Sequence, residues 1–448
     1  MNLKLAGRVV AVLAAVAGAG LGPAGAVVAA PVTVAWGTTS SAPAGALGQL
    51  FGVAAASPAD VLAVGGYNPG RPPTAVLTRP YAEHWNGTGW SATSVPLGSV
   101  YPASMQAAQL NGVAAAAAGD GWAVGTVSDT GSLASQTLAY HWNGTAWKRA
   151  PTPDPGGPAR GNQLNAVAAR AANDVFAAGG DGYPAASLVV HWNGSAWTQV
   201  SVPSIGTLDA ITVAPGHVWV ASADTVEQFG GTAWTSLPAL PVSAPDFVAI
   251  AGLAHTAAGL WAVGALESPC GEGGICSSAY AALWNGTSWT QVPAGGGTGL
   301  TGVVAAGSKV LATSSGGAVW QLSLAGASPQ VTPALNPPQL TAITADPAGN
   351  LWAVGSATQK KASPAIINAP GIGQGGIIVT TGASAATVTW TGPVNGSGSA
   401  DPSGRFATGG LPAGSYAVTA SLPGCQPGVA TAAVTAGIAT TVRAPVSC

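Results

Sequence analysis

The chain has 448 residues, of which 13 are basic and 15 acidic, so charged residues make up only 6% and the formal net charge is −2. In globular proteins about a quarter of the residues are charged. Without a basic stripe, nucleic acids and anionic membrane surfaces are poor partners. A hydrophobic content of 48%, with 16 Trp, excludes an intrinsically disordered chain.

An export signal is predicted for residues 1–29. Lys4 and Arg8 precede an apolar run, and small residues then offer two cleavage sites, Ala24-Gly25-Ala26 and Val27-Val28-Ala29. The apolar run is too short to span a bilayer, and no later run of about 20 apolar residues follows it. We therefore expect a secreted protein without a membrane span.

An internal repeat dominates the sequence after the signal. Its clearest copy contains Leu164-Asn-Ala-Val, Asp174-Val-Phe-Ala-Ala-Gly and His191-Trp-Asn-Gly-Ser-Ala-Trp197. Each copy has four short runs of strand-forming residues, named A to D here, separated by Gly, Pro, Asn and Asp. Four-stranded repeats of this kind are typical of the blades of a β-propeller. The other copies are marked by Leu50, Leu110, Leu208, Leu260, Leu300 and Leu340.

The links between strands are rich in turn-forming residues. The C–D link of the clear copies is Asn-Gly, which favours a two-residue type I′ turn with positive φ at both central residues. Three aspartates at one repeat position are interpreted as turn formers, namely Asp60, Asp120 and Asp174. The Asn-x-Ser/Thr sequences are interpreted as turns rather than glycan acceptors; they begin at Asn86, Asn143, Asn193, Asn285 and Asn395.

The two ends of the repeat region complement each other. The seventh copy supplies strands A and B and a C strand near Ala365–Asn368, but no D strand with its Trp. Val32-Thr-Val-Ala-Trp36 offers the missing strand, and by completing the last blade it would remove an open sheet edge. We therefore predict an all-β fold in which residues 31–370 form a seven-bladed β-propeller closed by an N-terminal strand.

The C-terminal segment differs from the repeats. Beyond about Gly375 strands with alternating apolar residues follow, such as Ser415-Tyr-Ala-Val-Thr-Ala420. We expect a small β-sandwich over residues 374–448, supported by a disulfide. Three pairings of the four cysteines are possible in an exported chain, and sequence proximity favours Cys270–Cys276 and Cys425–Cys448.

Two resemblances follow from these motifs. Blades built on Ala-Val-Gly and His-Trp-Asn-Gly-Thr-x-Trp resemble the galactose oxidase/kelch-like propellers of secreted bacterial proteins. The segment with Asp401-Pro-Ser-Gly-Arg-Phe and Gly410-Leu-Pro-Ala-Gly-Ser-Tyr resembles the carboxypeptidase regulatory-like, transthyretin-type domain, which is usually an accessory module. Copper chemistry of the galactose oxidase type needs a Tyr, a His and a crosslinked Cys, which the pattern does not offer, so no cofactor is expected.

The recurrent aromatic and imidazole side chains have a structural interpretation. The Trp residues recur at fixed repeat positions, as packing between sheets requires. His84, His141 and His191 occupy equivalent positions in separate blades, too far apart to bind one metal ion at bond lengths near 2 Å, so we expect structural polar contacts. The residue pattern indicates neither the carboxylate pair of a glycosidase nor the arginine cluster of a sialidase. We therefore predict neither catalytic residues nor a metal site.

The variable links suggest where binding occurs. The B–C and D–A links lie at one face of the ring and vary widely in length, whereas the A–B and C–D turns of the opposite face are short and uniform. Variable loops on a rigid scaffold commonly carry binding residues. The aromatic and charged candidates in these loops are Tyr67, Arg71, Tyr101, Tyr183 and Glu272.

These observations favour a secreted, monomeric, non-enzymatic binding protein. Its expected partner is an extracellular glycan, another cell-surface polymer or a cell-surface protein, engaged through the variable loops. An extracellular hydrolase or lyase acting on polysaccharide is the alternative, and a purely structural surface protein is a third. Few carboxylates and the lack of a convergent Arg or His set argue against the enzyme.

Overall fold

The computed structural model describes eighteen ranges of the chain: residues 37–38, 47–69, 79–97, 105–129, 131–132, 134–157, 159–182, 185–271, 274–294, 297–307, 309–331, 339–357, 363–369, 374–393, 395–401, 404–412, 414–434 and 439–448. Within these ranges all regular structure is β-strand. No helix in them is long and apolar enough to cross a membrane. The predicted signal, residues 1–29, lies outside the described residues.

Seven four-stranded antiparallel sheets form the blades of the propeller. The first three blades are β2 (Leu47–Ser57), β3 (Asp60–Asn68), β4 (Arg79–Trp85) and β5 (Trp90–Thr93); β6 (Met105–Ala117), β7 (Asp120–Asp129), β8 (Ser135–Trp142) and β9 (Trp147–Arg149); and β10 (Gln163–Ala171), β11 (Asp174–Asp181), β12 (Ala186–Trp192) and β13 (Trp197–Val200).

The next three blades continue in chain order. They are β14 (Ala210–Ala214), β15 (His217–Ser222), β16 (Thr225–Phe229) and β17 (Trp234–Ser236); β18 (Phe247–Thr256), β19 (Gly259–Cys270), β20 (Gly274–Trp284) and β21 (Trp289–Val292); and β22 (Leu300–Ala306), β23 (Lys309–Ser314), β24 (Val319–Ser323) and β25 (Gly326–Val331).

The seventh blade joins the two ends of the repeat region. Its strands are β26 (Gln339–Ala345), β27 (Leu351–Ala357) and β28 (Ser363–Ala369), and β1 (Gly37–Thr38) is its fourth strand. Gly37 pairs with Asn368, and Thr38 pairs with Ile367. The predicted closure by an N-terminal strand is confirmed, although the paired residues follow Val32–Trp36, which lies outside the described residues.

A bulge in strand A explains the glycine of the Ala-Val-Gly motif. In the second blade the pairing of β6 with β7 shifts between Leu110 and Gly112. A Cβ added to Gly125, opposite this bulge, would overlap the carbonyl oxygen of Gln109. Only glycine fits there, and the same overlap applies to Gly65, Gly179, Gly264 and Gly355.

The C–D links are longer than the two-residue turn predicted from Asn-Gly. Trp142 pairs with Trp147, so the link spans residues 143–146, and of Asn143 and Gly144 only the glycine has a positive φ, 89°. Asn143 Oδ1 accepts hydrogen bonds from Thr145 N at 3.1 Å, Thr145 Oγ1 at 2.9 Å and Ala146 N at 2.9 Å. The type I′ prediction is therefore wrong, because a side-chain carbonyl organises a wider turn. Asn86, Asn193 and Asn285 accept the same hydroxyl bond.

Tryptophans fill the space between neighbouring blades. Trp122 of β7 is buried, and its ring centroid lies 4.7 Å from that of Trp192 and 5.0 Å from that of Trp197 in the third blade. Aromatic pairs at such distances stabilise a core beyond the area they bury. This arrangement provides the sheet-to-sheet packing that the recurrent Trp pattern predicted.

Two further sheets form the C-terminal β-sandwich. One contains β30 (Thr387–Thr391), β31 (Gly396–Ser399), β33 (Gly414–Ser421) and β34 (Gly428–Val434); the other contains β29 (Gln374–Thr380), β32 (Arg405–Pro412) and β35 (Ala439–Arg443). Buried Val379, Val388 and Tyr416 contribute to their common core. The domain bounds at residues 31, 370 and 374 stay predictions.

Both disulfides have the pairing that sequence proximity favours. Cys425 is bonded to Cys448, next to the end of the sandwich, and Cys270 is bonded to Cys276 in the fifth blade. The described residues include no free cysteine.

Candidate functional site

Of the five variable-loop residues predicted to bind a ligand, only Tyr67 lies within the described residues. Tyr67 lies near the end of β3, where it is half-buried, and its ring packs edge-to-face on Tyr81 with centroids 5.7 Å apart. It borders the apolar cluster that contains Leu50 and Ile366. Tyr67 thus has a packing contact, and its role in binding stays a prediction. Arg71, Tyr101, Tyr183 and Glu272 lie outside the described residues.

The fifth blade presents a long hairpin at this loop face, which we define by the B–C and D–A links. Strands β19 and β20 pair from Leu260 with Trp284 as far as Cys270 with Gly274, and the Cys270–Cys276 disulfide closes the tip. Ser277 Oγ donates to Glu267 Oε1 at 2.7 Å across the two strands. Backbone pairing, disulfide and side-chain bond together hold the hairpin in one shape.

Two large apolar side chains are exposed on or beside this hairpin. Ile275 is 62% exposed at the tip, and Phe247, whose backbone pairs with that of Glu267, is 48% exposed. Sequence reasoning missed both, because an apolar residue in a strand pattern is normally assigned to the core. The loop face thus has one exposed apolar side chain on the braced hairpin and another on the strand beside it.

The opposite face, which we call the turn face, carries a repeated His–Asp contact. In the first three blades, the last-but-one residue of strand C places its imidazole against the first residue of strand B. The Nε2–Oδ1 distances are 2.8 Å for His84–Asp60, 2.7 Å for His141–Asp120 and 2.9 Å for His191–Asp174. Asp60 Oδ2 also accepts a hydrogen bond from Gly119 N of the next blade. These aspartates therefore bind partners in addition to forming turns.

The fourth blade departs from this pattern at both positions. His217 begins β15, where the first three blades have Asp, and Gln228 replaces the histidine that those blades have in strand C. The imidazole–carboxylate pair is thus lost. Instead, Trp219 Nε1 donates to Gln228 Oε1 at 2.8 Å.

The fifth blade adds a second imidazole at the same junction. His255 in β18 stands where strand A of the first three blades has Ala55, Ala115 and Ala169. Its ring stacks on Trp219 with centroids 4.9 Å apart and an interplanar angle of 11°. Within the described residues Trp219 makes its other ring contact with His217, at 5.3 Å. The tryptophan-to-tryptophan packing seen around Trp122 is therefore replaced by imidazoles.

A cavity of about 520 Å³ lies at this junction, between the fourth and fifth blades on the turn face. Its walls combine indole and leucine side chains with imidazole and amide groups, and none of its lining residues carries a carboxylate. The lining residues are His217, Trp219, Gln228, Leu237, His255, Thr256, Ala257, Ala258, Gly259, Leu260, Trp284, Asn285 and Gly286.

The electrostatics of the cavity are set by its two imidazoles. Burial, and then the nearby imidazole of His217, lower the pKa of His255 below its usual value of 6.5. Both causes disfavour the protonated ring. In the described part of the chain, no three His, Cys, Asp or Glu side chains come together to hold a metal ion. Sequence reasoning missed this site, although two histidines out of repeat register were a visible signal.

Comparisons with known proteins give distant structural likenesses. No family model matches the chain, and no curated protein matches it. The chain is similar to YCF48 bound to D1 peptide, with 10% identity over 75% of this chain and 97% of that chain and a TM-score of 0.48. It is also similar to streptogramin B lyase, with 14% identity over 75% and 98% and a TM-score of 0.49. For the WD40 β-propeller domain of Doa1 the identity is 11% over 75% and 97%, with a TM-score of 0.47. The propeller assignment therefore rests on the strand pairing of the chain itself.

Proposed function

We propose that the chain is a secreted, non-enzymatic binding protein that engages a glycan or another cell-surface polymer through the loop face of its propeller. The braced hairpin of the fifth blade is the observation that carries this proposal. It presents Ile275 to solvent on strands linked by the Cys270–Cys276 disulfide, and Phe247 is exposed on the neighbouring strand β18. A binding surface held in shape before its ligand arrives loses less conformational entropy on binding.

The chemistry of this surface suits a neutral polymer. Exposed apolar side chains can cover the apolar faces of sugar rings, while Glu267 and Ser277 beside them offer polar groups for hydroxyls. The low charge of the chain makes binding driven by salt bridges a poor expectation. We also propose that the protein works in an oxidising, extracellular environment, in which its disulfides persist.

A retention assay with the whole mature chain tests this function. The protein is incubated with insoluble peptidoglycan, cellulose, chitin and xylan at low and high salt, and the supernatants are assayed for reducing ends and unsaturated sugars. We expect retention on one polymer at both salt concentrations, without release of sugar. Released reducing ends or unsaturated products would favour the hydrolase or lyase instead, and failure to bind any polymer would favour the structural protein.

A further inference from the structure

We propose that the cavity between the fourth and fifth blades is a second binding site, on the turn face, for a small organic ligand that pairs a carboxylate with an apolar ring. This site is separate from the loop face and does not depend on the function proposed for it. Its lining, described above, offers hydrogen-bond donors around an apolar wall, and this combination identifies the ligand class.

The two amide side chains of the cavity have their oxygens occupied. Gln228 Oε1 accepts from Trp219 Nε1, which as an indole nitrogen can only donate. Asn285 Oδ1 accepts from Thr287 N at 2.9 Å, Thr287 Oγ1 at 2.8 Å and Ser288 N at 2.9 Å. Gln228 Nε2 makes no hydrogen bond within the described residues, and Asn285 Nδ2 donates to Ser288 Oγ at 3.5 Å, which uses one of its two N–H groups. A ligand that meets the remaining N–H groups must bring acceptor atoms.

The imidazoles lack the acidic partner that their counterparts have. Within the described residues, the imidazoles of His217 and His255 make no hydrogen bond or ion pair, whereas those of His84, His141 and His191 each contact an aspartate. A ligand carboxylate would take the place of that aspartate. It would also offset the influence of the neighbouring His217 ring on His255, so the His255 imidazole would gain proton affinity when the ligand binds.

Apart from His217, no titratable group of the described residues faces the His255 imidazole in this cavity. Tyr280 on β20 is buried, and burial raises its pKa to about 12, so it stays neutral. Glu227 lies on the other face of β16, since it pairs with Val220, which packs towards the third blade. Arg170 donates a hydrogen bond to the carbonyl oxygen of Ala214, three residues before His217 in the chain. Its guanidinium is paired with the carboxylate of Asp174. Asp224 and Glu267 lie at the loop-face ends of their sheets.

The remaining walls accept an apolar body. Trp219, Leu237, Leu260 and Trp284 line the cavity beside the donors. A volume of about 520 Å³ accommodates a single sugar or aromatic ring and lies within the usual size range of small-molecule sites. Benzoate and D-glucuronate are therefore suitable probes, and they distinguish an aromatic carboxylate from a uronic acid.

The binding experiment is a calorimetric titration of the whole mature protein with each probe at about pH 5.5 and about pH 8. We expect saturable binding of at least one carboxylate, with uptake of protons, and roughly tenfold weaker binding at the higher pH because the His255 imidazole is then neutral. D-glucose and benzyl alcohol, which lack the carboxylate, should not bind.

The repeat itself supplies a matched variant. The triple change His217→Asp, Gln228→His and His255→Ala installs the residues found at the junction of the second and third blades, namely Asp120, His141 and Ala169. Because these residues already pack beside a tryptophan in the same register, we expect the variant to fold and to lose carboxylate binding. Its retention on polysaccharide should be unchanged, which separates this site from the loop face.

Several results would overturn the proposal. One is absence of binding of both carboxylates to folded wild-type protein at about pH 5.5. Another is equal binding by the triple variant, or equal binding of D-glucose or benzyl alcohol. Stoichiometric uptake of Zn²⁺ by the wild type without carboxylate binding would assign the imidazoles to a metal instead.

Discussion

Trp352 in the seventh blade packs against Trp85 in the first, with ring centroids 5.3 Å apart. The two residues are distant in sequence, yet their contact repeats the packing of Trp122 on Trp192 between the second and third blades. Trp352 also lies 5.7 Å from Trp90. Side-chain packing thus closes the ring together with the pairing of β1 on β28.

Truncating this closing contact should destabilise the propeller. Trp352 is 3% exposed, and we expect Trp352→Ala to lower the free energy of unfolding by about 3–5 kcal/mol. Urea denaturation followed by tryptophan fluorescence measures the loss. Leu324→Ala, at a residue 62% exposed in a C–D turn, is the control and should change stability by less than about 0.5 kcal/mol. Equal stability of both variants would contradict a ring closed at this junction.

The bulge opposite the B-strand glycine should make that position intolerant of any side chain. Gly125→Ala would bring a methyl group into the carbonyl oxygen of Gln109, so we expect a loss of more than about 3 kcal/mol in unfolding free energy. Gly89→Ala is the matched change, because an added Cβ meets nothing there within 4 Å. A thermal melt in which both variants behave alike would be evidence against the bulge as the reason for the Ala-Val-Gly motif.

The hydroxyl in the Asn-x-Ser/Thr turns should contribute to stability. Thr145→Val removes the donor to Asn143 Oδ1, and we expect a loss of about 0.5–1.5 kcal/mol in unfolding free energy. Thr145→Ser keeps the donor, as Ser195 does in the third blade, and should lose less. Chemical denaturation of the pair checks the order; a serine variant as unstable as the valine variant would mean that the hydroxyl bond contributes nothing.

The third blade should lose stability in acid through Asp174. Burial raises the pKa of this carboxyl, but hydrogen bonds from Arg170 and His191 outweigh it and hold the pKa below its usual value of 3.8. Because the folded-state pKa is the lower one, the contribution is present above about pH 4 and disappears as the pH falls through the folded value. Asp174→Asn should therefore be less stable than wild type at about pH 6, with the difference shrinking below pH 4. If urea titrations show the same difference in unfolding free energy between wild type and Asp174→Asn at every pH, the stabilising role of the Asp174 carboxylate is refuted.

The fold was predictable because the same pattern of four strands recurs in every copy of the repeat. A degraded copy such as that around Leu208 could therefore be aligned with the clear copies. The lack of a D strand in the seventh copy indicated that the N-terminal segment supplies it. The wide C–D turn was not predicted, since Asn-Gly alone does not reveal that Asn143 Oδ1 caps three donors.

The candidate sites were harder to predict for a physical reason. Residues that make a site in this chain are departures from the repeat, and a departure also results when a blade merely degenerates. His217 and His255 can be recognised as parts of one site only from the structure, in which β15 and β18 bring both rings against Trp219. Likewise, Ile275 follows the strand pattern, and its exposure arises from the length of the hairpin that carries it.

The most direct test of binding through the loop face compares two residues of equal exposure on opposite faces. Ile275 in the braced hairpin and Leu324 in a C–D turn are each 62% exposed. For the polymer that retains the wild type, we expect Ile275→Ser to weaken the dissociation constant by about tenfold and Leu324→Ser to leave it unchanged, with equal melting temperatures. Equal affinity of the two variants, or a loss confined to Leu324→Ser, would contradict the proposed function.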